Sequence, residues 1–124
     1  MVYDGSRYIY MNRGGNNALF YRYDTQEVAG NRWSQMANGP TSFGYGAELV
    51  LKDGYIYSLR GQNQLPNPLA RYEIATNTWT LLEPYPSRVY NDGFMVDGND
   101  GYLYAARGGN TNEFYRYSIG YGVP

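Results

Sequence analysis

The sequence predicts an all-β chain made from copies of one four-stranded antiparallel unit, and three observations predict it. Short motifs recur in a fixed order with a period near 47 residues. The runs between turns are four to seven residues long, rich in Tyr, Phe, Val, Ile and Leu, and bounded by Gly, Asn, Asp or Pro, which is strand composition. No stretch sustains a helical periodicity of useful length.

The elements of the unit follow in order. Its first strand is carried by Gly46-Ala47-Glu48-Leu49-Val50-Leu51, which matches Gly93-Phe94-Met95-Val96. The second strand holds Tyr8-Ile9-Tyr10, Tyr55-Ile56-Tyr57 and Tyr102-Leu103-Tyr104, at two intervals of 47 residues. Arg13-Gly14-Gly15, Arg60-Gly61-Gln62 and Arg107-Gly108-Gly109 follow at the same two intervals. The third strand holds Phe20-Tyr21-Arg22-Tyr23, Leu69-Ala70-Arg71-Tyr72 and Phe114-Tyr115-Arg116-Tyr117. Its Arg residues are 49 and 45 apart, so the loop after the Gly pair absorbs the length changes. The fourth strand is marked by Trp33 and Trp79, 46 apart, and is followed by Pro40 and Pro86 at the same interval. Lys52-Asp53-Gly54 and Asn99-Asp100-Gly101 are expected to close tight hairpins, because Asp-Gly supplies the positive φ such turns need. Ala75-Thr76-Asn77-Thr78 forms a second turn from residues that bond their own backbone.

One full unit therefore runs Gly46 to Leu51, Tyr55 to Arg60, Leu69 to Ile74 and Trp79 to Leu82. A recurring four-stranded meander of this length is a β-propeller blade. The chain divides into a partial blade at 3–45, a blade at 46–91 and a partial blade at 92–118. The first period begins at its second strand and the last stops at its third. Ten strands are expected, with the first and last blades incomplete.

The residues narrow the family. Asp53-Gly54, the hydrophobic-Tyr pair Ile56-Tyr57, the Gly pairs Gly14-Gly15 and Gly108-Gly109, Tyr72 and then Trp79 together resemble the kelch repeat, over essentially all 124 residues. The Arg-Gly-Gly and Tyr-Arg-Tyr forms are similar to the variant found in secreted or surface proteins of prokaryotes. Gln62 departs from the pattern where a Gly pair would close. By analogy with the family, the expected function is a non-catalytic module that acts by assembly as a structural or scaffold element, with a ligand-binding module as the alternative. It alone points outside the cell, since the absence of Cys permits either redox compartment.

Length then becomes informative. Propellers close with four to eight blades, and 124 residues supply about 2.6 periods. An arc of three blades exposes two apolar faces and unpaired strand edges, which drive association. The expected folded state is an assembly, simplest as two chains closing a six-bladed ring by head-to-tail contact, with a filament as the non-closing form. Excision from a longer propeller, or design, accounts for the same length.

Composition excludes several functions. There are 16 Tyr, 16 Gly and 12 Asn against one Lys, no His and no Cys, and the net charge is -1. Such a balance gives no general attraction for nucleic acid. No apolar run is long enough for a transmembrane helix. The start, Met1 to Gly5, lacks the basic and apolar regions of a signal peptide. Missing Cys and His remove the thiolate nucleophile, the commonest general base and the usual transition-metal ligands, including those that copper chemistry would require.

The candidate residues carry competing readings. Arg13, Arg60 and Arg107 before the Gly pairs, with Arg22, Arg71 and Arg116 in the third strands, form an Arg set suited to an anion in a channel. Their identical use in every copy favours a repeat-structural role, with carbonyls or acids such as Glu48, Glu73 and Glu113 as partners. Tyr23, Tyr72, Tyr117, Trp33 and Trp79 occupy the packing positions of the kelch pattern. Loop aromatics outside the pattern, Phe43, Tyr45, Tyr85 and Tyr90, are the candidates for a glycan or protein ligand, against rim or interface packing. Acids lie in Asp-Gly turns, where the side chain has a local backbone role. Asp97-Gly98-Asn99-Asp100 is the one calcium-like cluster, and it lacks a bidentate Glu at the right distance. No catalytic residue, metal or cofactor is expected.

Overall fold

The computed structural model describes residues 1–44, 47–60, 69–83, 89–90 and 93–119. Among these residues, eleven strands form three antiparallel sheets and no helix is present. The first sheet runs in order through β1 (Val2–Tyr3), β2 (Tyr8–Asn12), β3 (Phe20–Asp24) and β4 (Trp33–Gln35). The second contains β5 (Glu48–Lys52), β6 (Tyr55–Leu59), β7 (Leu69–Glu73) and β8 (Thr78–Leu81). The third contains β9 (Phe94–Asp97), β10 (Tyr102–Ala106) and β11 (Phe114–Ser118). In each sheet consecutive strands pair, so every sheet is a meander. Strand β5 lies beside both β1 and β9. The three first strands thus adjoin, and the sheets stack face to face as incomplete propeller blades do.

Two details differ from the sequence expectation. An eleventh strand, β1, pairs Val2 with Tyr10 and Tyr3 with Ile9, so the first blade has four strands where three were expected. Two residues are too short to carry an alternation signal. What holds them is the turn that follows: Asp4 Oδ1 accepts the N–H groups of Ser6, Arg7 and Tyr8, and Gly5 takes φ 85°. Against the five residues of β5, this first strand is still cut short. The second difference is the β9–β10 turn. Asp53 and Gly54 form the expected two-residue hairpin, with φ 52° and 82°. In the third blade the positive φ values fall on Asn99 and Gly101 instead, giving a longer loop. There Asp100 is released to cap: its carboxylate accepts the Tyr102 N–H at 3.1 Å and the Tyr104 hydroxyl at 2.6 Å.

Two hydrophobic cores lie between the sheets, and the middle sheet contributes to both because successive strand side chains point to opposite faces. Leu49, Ile56 and Tyr72 pack toward the first blade, against Tyr10, Phe20 and Phe43. Val50, Tyr57, Leu59 and Leu69 pack toward the third, against Met95, Leu103, Ala105 and Val89. Each fully buried Ile or Leu contributes roughly 1.5–3 kcal/mol, so the contact between blades is the main stabilising feature of the chain. The strands are apolar on both faces for this reason, unlike the strict alternation of a sheet with one wet side.

Polar groups lock the first contact. Asn77, at φ 54°, turns the β7–β8 connection. Its Oδ1 accepts both the Tyr72 hydroxyl at 2.6 Å and the Ala37 N–H at 3.0 Å from the first blade. The Trp79 indole N–H donates to the Ala37 carbonyl at 2.9 Å. Between the second and third blades, Lys52 Nζ lies 3.3 Å from an Asp97 carboxylate oxygen. Within the first blade, Arg7 and Asp24 make a two-point ion pair, at 2.8 and 2.7 Å.

Candidate functional site

Register places every residue of the third strands on a known face. Asn12 pairs with Phe20, Leu59 with Leu69 and Ala106 with Phe114, so Phe20, Leu69 and Phe114 are equivalent positions facing the following blade. Tyr23 pairs with Trp33, and Tyr72 with Trp79, so these two pairs are equivalent and face the preceding blade. Inside the chain the two sides meet. Phe20 is fully buried, with its ring centroid 4.8 Å from Tyr72 at 61° and 5.0 Å from Trp79 at 75°. These are edge-to-face contacts, the arrangement favoured by the ring quadrupoles.

Among the described residues, the same surfaces are left open on the first and third blades. On the first blade, Tyr23 and Trp33 stand at 4.9 Å and 61°, close to the 5.1 Å and 50° of Tyr72 and Trp79. Trp33 is 55% exposed. Beside it, an open groove of about 300 Å³ is lined by Met11, Arg13, Tyr21 and Trp33. On the third blade, Phe114 is 60% exposed and stacks on Tyr104 at 5.9 Å, with Phe94 and Val96 also exposed. By register Phe94, Val96 and Phe114 share one face, and exposed large apolar residues gathered in this way mark an interaction surface.

The candidate Arg residues divide into two groups. Arg22, Arg71 and Arg116 lie over the rings of Tyr8, Tyr55 and Tyr102 at 4.1, 4.3 and 4.2 Å, one contact repeated in each blade. Arg13, Arg60 and Arg107 all stand just after a second strand but have different surroundings. Arg107 ion-pairs with Glu113 and lies 5.2 Å from the Tyr90 ring centroid. Burial lowers the Arg60 pKa from its ordinary value, and Arg13 borders the open groove. Glu73 accepts a hydrogen bond from Thr76 at 3.0 Å.

The aromatic candidates also separate. Phe43 is 3% exposed inside the first core, where its N–H bonds the Asn17 carbonyl, so it offers no platform for a ligand. Tyr90 is held by Arg107 above it and by Gly109, whose positive φ and missing Cβ admit the Tyr90 ring. Tyr45 and Tyr85 lie outside the described residues. Tyr117 packs on the second core, and burial raises its pKa. In the calcium-like cluster, Asp97 faces Lys52 and caps the Asn99 N–H at 2.9 Å. Among the described residues, no three His, Cys, Asp or Glu side chains gather as a metal site, and no helix is long and apolar enough to cross a membrane.

Sequence reasoning did not single out Phe20 and Phe114. The signal was present, since every third strand opens with an apolar residue at Phe20, Leu69 and Phe114. In sequence Asn77 reads only as a turn residue, and its link between blades depends on Ala37, 40 residues away.

No protein-family model matches the chain. A kelch repeat-containing protein of Dictyostelium discoideum is 26% identical to it over 118 residues, which covers 90% of this chain and 18% of that protein. The chain thus spans less than a fifth of the length of the relative it matches. That similarity and the three antiparallel sheets fit a kelch-like repeat.

Proposed function

We propose that the chain is a non-catalytic kelch-type propeller module that acts by self-association, as a structural or scaffold element. The observation that carries this reading is the pair of open faces. One is equivalent to the surfaces that precede each internal blade contact, and the other to the surfaces that follow it. Burying such faces against one another is favourable in the same way as burying the two internal cores. Blade boundaries at 3–45, 46–91 and 92–118 belong to this reading. So does a structural role for the Arg–Tyr stacks, which recur in all three blades with nearly the same spacing. The kelch-type relative supports an interaction module in general. Of the loop aromatics that a lectin-like role would use, Phe43 lies in the core and Tyr45 and Tyr85 lie outside the described residues.

The test is solution mass, by light scattering across a concentration series. Two chains closing a six-bladed ring give twice the 14.1 kDa of the chain, and head-to-tail growth without closure gives a much larger species. A folded monomer at all concentrations contradicts the proposal.

A further inference from the structure

We propose that the contact between copies is made by Phe114 of one chain seated between Tyr23 and Trp33 of the next. This rests on the self-association reading and names its interface. The internal contact supplies the template: Phe20 enters the angle between Tyr72 and Trp79, 4.8 and 5.0 Å from their ring centroids. Phe114 holds the position of Phe20 in its own sheet, opposite the last residue of the second strand. Tyr23 and Trp33 hold the positions of Tyr72 and Trp79, with their rings already 4.9 Å apart. The receiving pair is therefore formed before any partner arrives, which reduces the side-chain ordering that binding requires.

The occupant is a second copy because each chain carries both complementary halves, one on its first blade and one on its third. The middle blade separates them, so Phe114 cannot reach the Tyr23–Trp33 pair of its own chain through a direct face contact. Contact between two unlike surfaces is heterologous, and it repeats until it closes. The second blade shows what the position tolerates: Leu69 occupies it and is buried against the third blade. Aromatic anchors in well-packed pockets dominate the energetics of such interfaces.

The experiment uses the whole chain and four single substitutions, with association followed by light scattering and folding by circular dichroism. Phe114→Ala is expected to weaken association by about 100-fold or more, the factor for truncating a buried Phe. Phe114→Leu retains association, because Leu serves at the equivalent position. Val28→Ser, 89% exposed in the β3–β4 loop and off both faces, leaves it unchanged. Trp33→Ala, like Phe114→Ala, leaves monomers at concentrations where the parent assembles. Mixed one to one, these two variants form a one-to-one dimer, since the first retains an intact Phe114 and the second an intact Tyr23–Trp33 pair. A face binding its own like would show no such rescue. If the parent assembles and Phe114→Ala assembles equally well, or if the mixture stays monomeric, this contact is wrong while self-association stands. A parent that never assembles overturns both.

Discussion

Replacing Phe20 and Phe114 by alanine, one at a time, compares one residue type at one register position in two environments. Phe20 is fully buried, with two edge-to-face partners at 4.8 and 5.0 Å and Tyr10 at 6.1 Å. Truncating a Phe so enclosed costs roughly 3–5 kcal/mol, which includes the cavity and the lost ring contacts. Set against a total stability on the order of 5–15 kcal/mol, that is a large share. Phe114 is 60% exposed and, among the described residues, stacks on Tyr104, so Phe114→Ala alters the isolated chain by about 0.5 kcal/mol or less. The assay is urea unfolding followed by circular dichroism, in dilute solution and again where the parent associates. The loss for Phe20→Ala is expected at both concentrations, and the loss for Phe114→Ala only at the higher one. If Phe114→Ala destabilises the dilute chain as much as Phe20→Ala does, Phe114 is not on an open face and the reasoning fails.

Three further outcomes are expected. Replacing Asn77 by glycine keeps its positive φ but deletes the acceptor shared by Tyr72 and Ala37; a loss of about 1–3 kcal/mol in urea unfolding is expected, and no loss would dismiss the bridge. The Arg7 guanidinium lowers the Asp24 pKa to about 2. Its stabilising contribution is therefore present above the unfolded value near 3.9 and is lost as pH falls toward 2, so the melting-temperature difference between the parent and Asp24→Asn should shrink between pH 5 and 2. Burial pushes the Tyr72 phenol up to about 12. Its contribution is complete below about pH 10 and lost as pH rises toward 12, and Tyr72→Phe should flatten the alkaline loss of stability over that interval.

The repeat was legible because each period reuses the same residues at one spacing, and the strands of the middle blade begin and end within two residues of where Gly46 to Leu82 placed them. Strand β1 was not legible, for two residues carry no period; yet Asp4-Gly5 ahead of Tyr8 echoes Asp53-Gly54 ahead of Tyr55. Faces were harder still. Propeller strands are apolar on both sides, so Tyr10 and Ile9 look alike in sequence, and only pairing decides which neighbour each one meets. Phe20 and Phe114 sit in nearly identical motifs, yet the second blade packs on Phe20 while Phe114 is 60% exposed. The Arg positions recurred faithfully, but the partners of Arg13, Arg60 and Arg107 come from loops that vary between copies.

Trp33 reports on the open faces most directly. Trp79 is packed against Phe20, Phe43 and Tyr72 with its indole N–H bonded to Ala37, so a change in quenching with concentration comes from Trp33. Acrylamide quenching of tryptophan emission, measured from dilute solution up to the concentration where light scattering shows association, is expected to fall as Trp33 is covered. A Trp33 that stays equally accessible in the associated species would contradict the head-to-tail joining of these faces.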